Sequence, residues 1–354
     1  MADLHLGSDL FKIAPGPVPM AVVLRVACAT GIPILVGMAM GEAIAGVIGA
    51  SCALLTTLAD IGTTYRSRIG TMAAATVAMV IGGTIGARYG GTTGAAEVTI
   101  VGAALVAGWV SGSHPGLGAV ARFFAVATAT GAGLHFANPM VAVVAAGGGA
   151  MAIVVAILVW SVFGVPADEN VMDWRAGIRR ALTGVDAGAS FAIAYALAAG
   201  AALLAADWLG VERPYWATVT VLMVMRREGL ESLRLVLQYM AGTLLGILLA
   251  EVVVRLVHAP EALAAFAVIT AASARLGFAL NPALGYAGFT AFFIVSIDLV
   301  VQGRGMPPHL LSDRLYDVSI GCLLALGATL AVRAIRIPRK AKAAQPKGRS
   351  AAHK

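Results

Sequence analysis

The fold of this chain is decided by one hairpin, residues 213–250, which reads RPYWATVTVLMVMRREGLESLRLVLQYMAGTLLGILLA. A short apolar segment begins at Tyr215 and Trp216, a charged turn follows, and a longer apolar segment carries Gly242 and Gly246. Charged side chains are costly to place in hydrocarbon, so such a turn must reach water while the flanking segments cross the membrane. The hairpin therefore predicts an α-helical membrane protein.

The composition of the whole chain agrees with this prediction. Of 354 residues, 59% are hydrophobic and 12% are charged, and the mean hydropathy is +0.87. That leaves too little polar surface for a water-soluble protein of this size. Apolar runs of about 20 residues recur, which is the length a helix needs to cross about 30 Å of hydrocarbon. The sequence contains no GK[ST], HExxH or GxSxG motif, so we predict no enzyme activity, no metal and no cofactor.

We predict an all-α integral membrane protein with about twelve transmembrane helices, arranged as two parallel six-helix repeats. The first repeat covers residues 1–163 and the second covers residues 187–335. Between them, residues 164–186 form a cytoplasmic linker with an amphipathic helix, and residues 336–354 form a basic, disordered cytoplasmic tail. The predicted membrane helices are 20–40, 43–59, 68–87, 95–111, 117–135, 139–163, 187–206, 214–225, 235–257, 261–275, 283–301 and 315–333.

The two sets of helices resemble each other. A shift of about 172 residues places Gly70 on Gly242 and Arg66 on Gln238. Because each set has an even number of helices, both sets have the same orientation, and the pseudo-twofold axis runs along the membrane normal. The interface between the two sets is then the natural place for a transport path.

The orientation follows from the distribution of Lys and Arg. With the N-terminus inside, 20 of the 25 basic residues fall on the cytoplasmic side or at helix ends that face it. Both termini are therefore predicted to be cytoplasmic, in the inner membrane of a bacterium. This sorting also accounts for the net charge of +7 without nucleic acid as a partner.

The hairpin resembles the fusaric acid resistance and aromatic acid exporter superfamily. The resemblance lies in the Tyr215-Trp216-Ala217 start, the basic turn, the Gly242-Thr243-x-x-Gly246 box and an Arg314-x-x-Asp317-x-x-x-Gly321 pattern. Where members of the family carry an Arg four residues before the Gly-Thr pair, this chain has Gln238, so the role of that Arg is not transferred.

The resemblance implies export of small organic anions, aromatic carboxylates among them, driven by the proton gradient. The related plant aluminium-activated malate transporters suggest passive organic-anion conduction as an alternative. A membrane scaffold or envelope-assembly protein without a permeant is a third interpretation. The expected partners are small organic anions, protons and membrane lipids, and self-association into a homo-oligomer remains open.

Several arginines at the predicted cytoplasmic helix ends are candidates for a positive mouth that attracts anions; they are Arg25, Arg66, Arg68, Arg122, Arg234 and Arg275. The alternative is that each of them extends toward the headgroups and only determines topology. Tyr215 and Trp216 are candidates for stacking on an aromatic substrate, or belong to the interfacial aromatic belt.

Asp298 is the candidate for proton coupling. No basic residue stands three or four positions away on its own helix, and a carboxyl group in this setting can exchange protons near neutral pH. The alternatives are contact with the outer headgroups, or a pair with Arg255, Arg304 or Arg314. Two further spacings predict structural pairs, Glu251 with Arg255 and Arg314 with Asp317.

Overall fold

The computed structural model describes residues 12–13, 20–90, 92, 94–134, 138–165, 173–184, 188–227, 229–301 and 310–343. Within these residues the chain is entirely helical, with thirteen α-helices. They are α1 (Met20–Ala39), α2 (Ala43–Leu58), α3 (Tyr65–Tyr89), α4 (Ala95–Val110), α5 (Pro115–Leu134), α6 (Pro139–Phe163), α7 (Trp174–Thr183), α8 (Ala189–Trp208), α9 (Tyr215–Val224), α10 (Gly229–Leu256), α11 (Pro260–Leu280), α12 (Pro282–Val300) and α13 (Leu310–Ala343).

The prediction of a helical membrane protein is confirmed. Nine helices of the described chain are long and apolar enough to cross a membrane, and α2, α4 and α9 are shorter apolar helices. The short α7 is the amphipathic linker helix. Its start is capped by Asp173, whose carboxylate accepts hydrogen bonds from the amides of Arg175 and Ala176. It ends at Thr183, and the next residue, Gly184, has the positive φ (66°) that favours glycine.

Several helices extend further than predicted; α11, for example, ends at Leu280 rather than at residue 275. Helix α10 begins at Gly229 rather than at residue 235, because the segment 230–237 is rich in Leu, Glu and Arg, which are good helix formers. Helix α13 continues to Ala343, so residues 336–343 are helical rather than part of a disordered tail. The Arg, Lys and Ala residues of that stretch also favour helix. The remaining predicted tail, residues 344–354, lies outside the described residues.

Glycines bring the backbones of particular helix pairs together. A Cβ added at Gly86 of α3 would meet the carbonyl oxygen of Thr128 on α5. A Cβ added at Gly242 or Gly246 of α10 would meet the carbonyl oxygen of Ala283 or Ala287 on α12. In lipid, such close approach is a main source of helix association, because the tails are as apolar as the side chains.

The helix contacts of the first six helices recur among the last six. Helix α1 packs on α2, α2 on α6 and α3 on α5; α8 packs on α9, α9 on α13 and α10 on α12. Contacts between the two sets also occur in matching pairs, α4 with α8 and α11 with α1, then α5 with α9 and α12 with α2. The central helices of the molecule are therefore α2, α5, α9 and α12.

Candidate functional site

Helix α3 gives the molecule two recognisable ends. Arg68 stands in its first turn and Arg88 in its last. Twenty residues at 1.5 Å each separate them by about 30 Å, the thickness of the hydrocarbon core. We call the two sides the Arg68 face and the Arg88 face. The predicted orientation makes the Arg68 face cytoplasmic.

A cavity of about 580 Å³ opens between the two sets of helices and reaches from the Arg88 face toward the middle of α3, at Met79. We call it the central cavity. One side is formed by α2, α3, α5 and α6, and the other by α9, α12 and α13. The walls are mostly apolar, with Leu55 and Met79 opposite Phe289 and Phe293. Its size lies within the range of small-molecule sites.

Three arginines line the Arg88 end of the central cavity: Arg88, Arg213 and Arg314. Arg314 is only 5% exposed, and its guanidinium carbon lies 3.9 Å from the centre of the Trp216 ring. This is a cation–π contact, which holds the planar guanidinium against the wall. The Nε atom of Arg314 has no hydrogen-bond partner among the described residues. A donor is therefore left over beside an apolar cavity.

The chain around α9 explains how the aromatic pair reaches the cavity. Pro214 precedes the helix, so α9 begins directly at Tyr215. The Tyr215 ring lies against Gly133 of α5, where an added Cβ would collide with it. Trp216 packs edge-on against Tyr215, with ring centres 6.2 Å apart. Both predicted aromatic residues therefore line the central cavity.

Asp317 lies beside this group without forming the predicted pair. It is buried and close enough to Arg314 and Arg213 to interact electrostatically. However, no ion pair within 4.0 Å joins it to Arg314 in the described part of the chain, because the guanidinium is turned onto Trp216. Glu251 and Arg255, in contrast, do form an ion pair on α10.

A second group of charges is buried at the Arg68 face. The carboxylate of Asp60, in the loop before α3, accepts from Nη1 of Arg25 at 2.6 Å and from Nη1 of Arg68 at 2.8 Å. All three side chains are nearly inaccessible to solvent. Arg275 of α11 is close enough to interact electrostatically with each of them. A capping box between Thr64 and Ser67 begins α3 and so positions Arg68.

The six predicted mouth arginines lie in different surroundings. Arg25, Arg68 and Arg275 meet around Asp60, whereas Arg66 and Arg234 are exposed. Arg122 interacts instead with the Tyr195 side chain on α8. The sequence placed each of these arginines near a helix end but did not say which neighbouring helix it faces. Helix packing decides that, and it differs from one arginine to the next.

Arg226 joins Arg122 near Tyr195, in the turn between α9 and α10. Its guanidinium donates to the carbonyl oxygens of Met223 and Met225 at the end of α9, at 2.8 and 3.2 Å. Burial lowers the pKa of Arg226 to about 10. It therefore stays charged at neutral pH, and the partial negative charge of the helix end favours that charge.

Asp298 is buried near the end of α12, with 1% of its surface exposed. Neither carboxylate oxygen has a hydrogen-bond partner among the described residues. The described titratable group that acts on it electrostatically is His258, in the loop before α11. Arg255 is occupied by Glu251 and Arg314 by Trp216, so neither pairs with Asp298. The third predicted partner, Arg304, lies outside the described residues.

Sequence reasoning did not single out Asp60, Arg88 or Arg213. Asp60 precedes Arg68 by eight residues and lies outside a helix, so no helical spacing connects them. Arg88 and Arg213 belong to the few basic residues on the sparsely charged face, and that rarity was the available signal.

Comparison with known proteins agrees with the resemblance read from the hairpin. Residues 198–328 match the family model described as fusaric acid resistance protein-like. The match contains the Tyr215-Trp216 start, the Gly242-Thr243 box and the Arg314 to Gly321 pattern. The predicted resemblance is confirmed over this part of the chain. No curated protein and no solved structure matches the chain.

Proposed function

Taking the fusaric acid resistance protein-like region as the premise, we propose that this protein is a membrane transporter that exports small organic anions, aromatic carboxylates among them, by using the proton gradient. The observation that carries the proposal is the central cavity, which combines apolar walls with three arginines at one end. Such a cavity matches a ligand with an apolar body and one negative charge.

The chemistry of an aromatic carboxylate suits each part of the cavity. The planar ring is removed from water between side chains such as Phe289 and Phe293. The carboxylate meets Arg314, which is preoriented by Trp216 and keeps a spare Nε donor. Arg guanidinium groups match carboxylate geometry better than Lys does, because their donors lie in one plane.

The architecture that goes with this function is a pair of six-helix repeats, residues 1–163 and 187–335, related by a pseudo-twofold axis along the membrane normal. The recurring pairs of helix contacts support this arrangement. The central cavity lies between the repeats, where a rocking motion of one against the other would expose it to each side in turn.

In the proposed orientation both termini are cytoplasmic, in a bacterial inner membrane. The central cavity then opens outward, and the buried charges around Asp60 lie at the cytoplasmic end. Asp298 is the proton-coupling group of this mechanism, since it is buried without an ion partner among the described residues. In this mechanism the Asp298 carboxyl group binds and releases a proton as its access changes from one side of the membrane to the other.

The test is transport by the purified protein in liposomes. Benzoic acid itself crosses lipid and is trapped on the alkaline side, so protein-free liposomes set the baseline. Above that baseline we expect radiolabelled benzoate to accumulate when a pH gradient is imposed, and to exchange across the membrane when none is imposed. The matched control is Arg255→Gln, which removes an exposed cation whose ion pair among the described residues is with Glu251. It should leave both activities unchanged.

Each alternative has its own result in this assay. Passive conduction would equilibrate benzoate without accumulation beyond that set by the membrane voltage. A scaffold without a permeant would give no accumulation or exchange of any carboxylate above that of protein-free liposomes. Either result contradicts proton-driven export.

A further inference from the structure

A second cavity, of about 200 Å³, lies at the Arg68 face between α1 and α6. Most of its wall is apolar, with Ala21 and Val22 on one side and Val159 and Phe163 on the other. Arg25 is its charged group, beside Trp160. It shares no lining residue with the central cavity and lies toward the other end of α3.

Arg25 lines this cavity and keeps unused donors. It is 1% exposed, and among the described residues its Nη1 atom alone has a hydrogen-bond partner, Asp60. Its Nε and Nη2 atoms have no hydrogen-bond partner among the described residues. These two nitrogens form one edge of the guanidinium, the edge that binds both oxygens of a carboxylate or phosphate at once. A buried donor without a partner is unfavourable and calls for an acceptor.

The charge balance around Arg25 favours the same acceptor. Arg25, Arg68 and Arg275 carry three positive charges, and Asp60 supplies one negative charge. A buried excess of positive charge is costly unless an anion accompanies it. Trp160 contributes an aromatic face, with its ring centre 5.4 Å from the guanidinium carbon.

We propose that this cavity binds an oxyanion attached to an apolar body, with the oxygens accepting from Nε and Nη2 of Arg25. The ligand is the carboxylate of a small organic anion or the phosphate of an acidic lipid. In either case the apolar part lies against the walls of α1 and α6. The site is separate from the central cavity, so its failure and the failure of the proposed export are distinguishable.

Photolabelling locates such a ligand directly. The purified full chain in phosphatidylcholine nanodiscs is irradiated with 4-azidobenzoate or with the uncharged 4-azidobenzamide, and labelled peptides are mapped by mass spectrometry. We expect azidobenzoate to label residues 20–25 or 159–165 about tenfold more than the amide does, because only the carboxylate can use both donors of Arg25.

Two variants and one control test the assignment. Ala21→Phe fills the cavity without altering the contact between Arg25 and Asp60, and Arg25→Lys keeps a positive charge but lacks the two-donor edge. Each should reduce labelling about tenfold. Arg255→Gln, on the exposed side of α10, should label as the wild type does.

Replacing part of the phosphatidylcholine with phosphatidylglycerol separates the two sources of the oxyanion. Loss of labelling assigns the site to a lipid phosphate, and retained labelling assigns it to a soluble carboxylate. Equal labelling by the amide, no labelling of these segments, or wild-type labelling of both variants would overturn the site.

Discussion

Replacing Arg314 with Gln should weaken the binding of an aromatic carboxylate to the central cavity. A carboxylate about 4 Å from a guanidinium gains about 4 kcal/mol at an effective dielectric constant of 20, and about 1 kcal/mol in water. Arg314 is 5% exposed, so the larger value is closer to its surroundings. Part of the gain is offset when the carboxylate loses its hydration, which leaves about 1.4–2.7 kcal/mol. The dissociation constant for benzoate should therefore rise about 10- to 100-fold.

Arg314→Lys separates charge from shape. Lys keeps the positive charge but loses the planar contact with Trp216 and the fork of parallel donors. Its dissociation constant should fall between those of the wild type and Arg314→Gln. Binding is measured by isothermal titration in nanodiscs, and the half-saturating concentration by exchange in liposomes.

Folding must be checked, because the contact between Arg314 and Trp216 itself contributes about 0.5–2 kcal/mol. Size-exclusion chromatography and the melting temperature show whether Arg314→Gln is intact. Arg255→Gln is the matched control and should bind as the wild type does. A folded Arg314→Gln protein with unchanged benzoate affinity would refute the assignment of Arg314 to the anion.

Three further predictions concern packing, coupling and orientation. Gly148→Ala should destabilise the protein by about 1–3 kcal/mol, because the new Cβ meets the Gly49 backbone of α2. Its neighbour Gly147→Ala should be neutral or slightly stabilising in the same thermal melts, since nothing described lies within 4 Å of its Cβ; equal losses would contradict this packing. Asp298→Asn should abolish benzoate accumulation driven by a pH gradient and preserve exchange; survival of both, or loss of both together with folding, would remove Asp298 from coupling. In a cysteine-free background, an impermeant maleimide should label Thr92→Cys in intact cells and spare Arg180→Cys, and the reverse pattern would invert the proposed topology.

The approximate positions of the helices could be predicted from the sequence, because the length and apolar composition of each segment are local properties of the chain. The apolar run of α6 occupies residues 139–163 as predicted, since its length and composition alone favour a membrane helix. Gly242 and Gly246 are four residues apart, the small-xxx-small spacing that favours close helix contacts in lipid, and α10 approaches the backbone of α12 there. These features depend on residues that are close together in the chain.

The residues of the candidate site could be predicted from the sequence only in part. Tyr215 and Trp216 were predicted from their place at a helix start, and both line the central cavity. Arg25 and Arg66 were both predicted to contribute to the positive mouth, but Arg66 is exposed, while Arg25 two helices earlier is buried against Asp60; the anion role of both stays a prediction. Sequence spacing identifies residues on one helix face, but it does not say against which other helix that face is turned.

By itself, the sequence determined that this chain is a helical membrane protein and approximately where its apolar helices run. Hydrophobic length, charge and residue size act locally, so they can be read along the chain. Only the tertiary structure decided that Arg314 lies on Trp216 and that Arg25 shares Asp60 with Arg68. These contacts join separate elements, and their geometry depends on the rotation and crossing of whole helices, which many weak packing contacts set together.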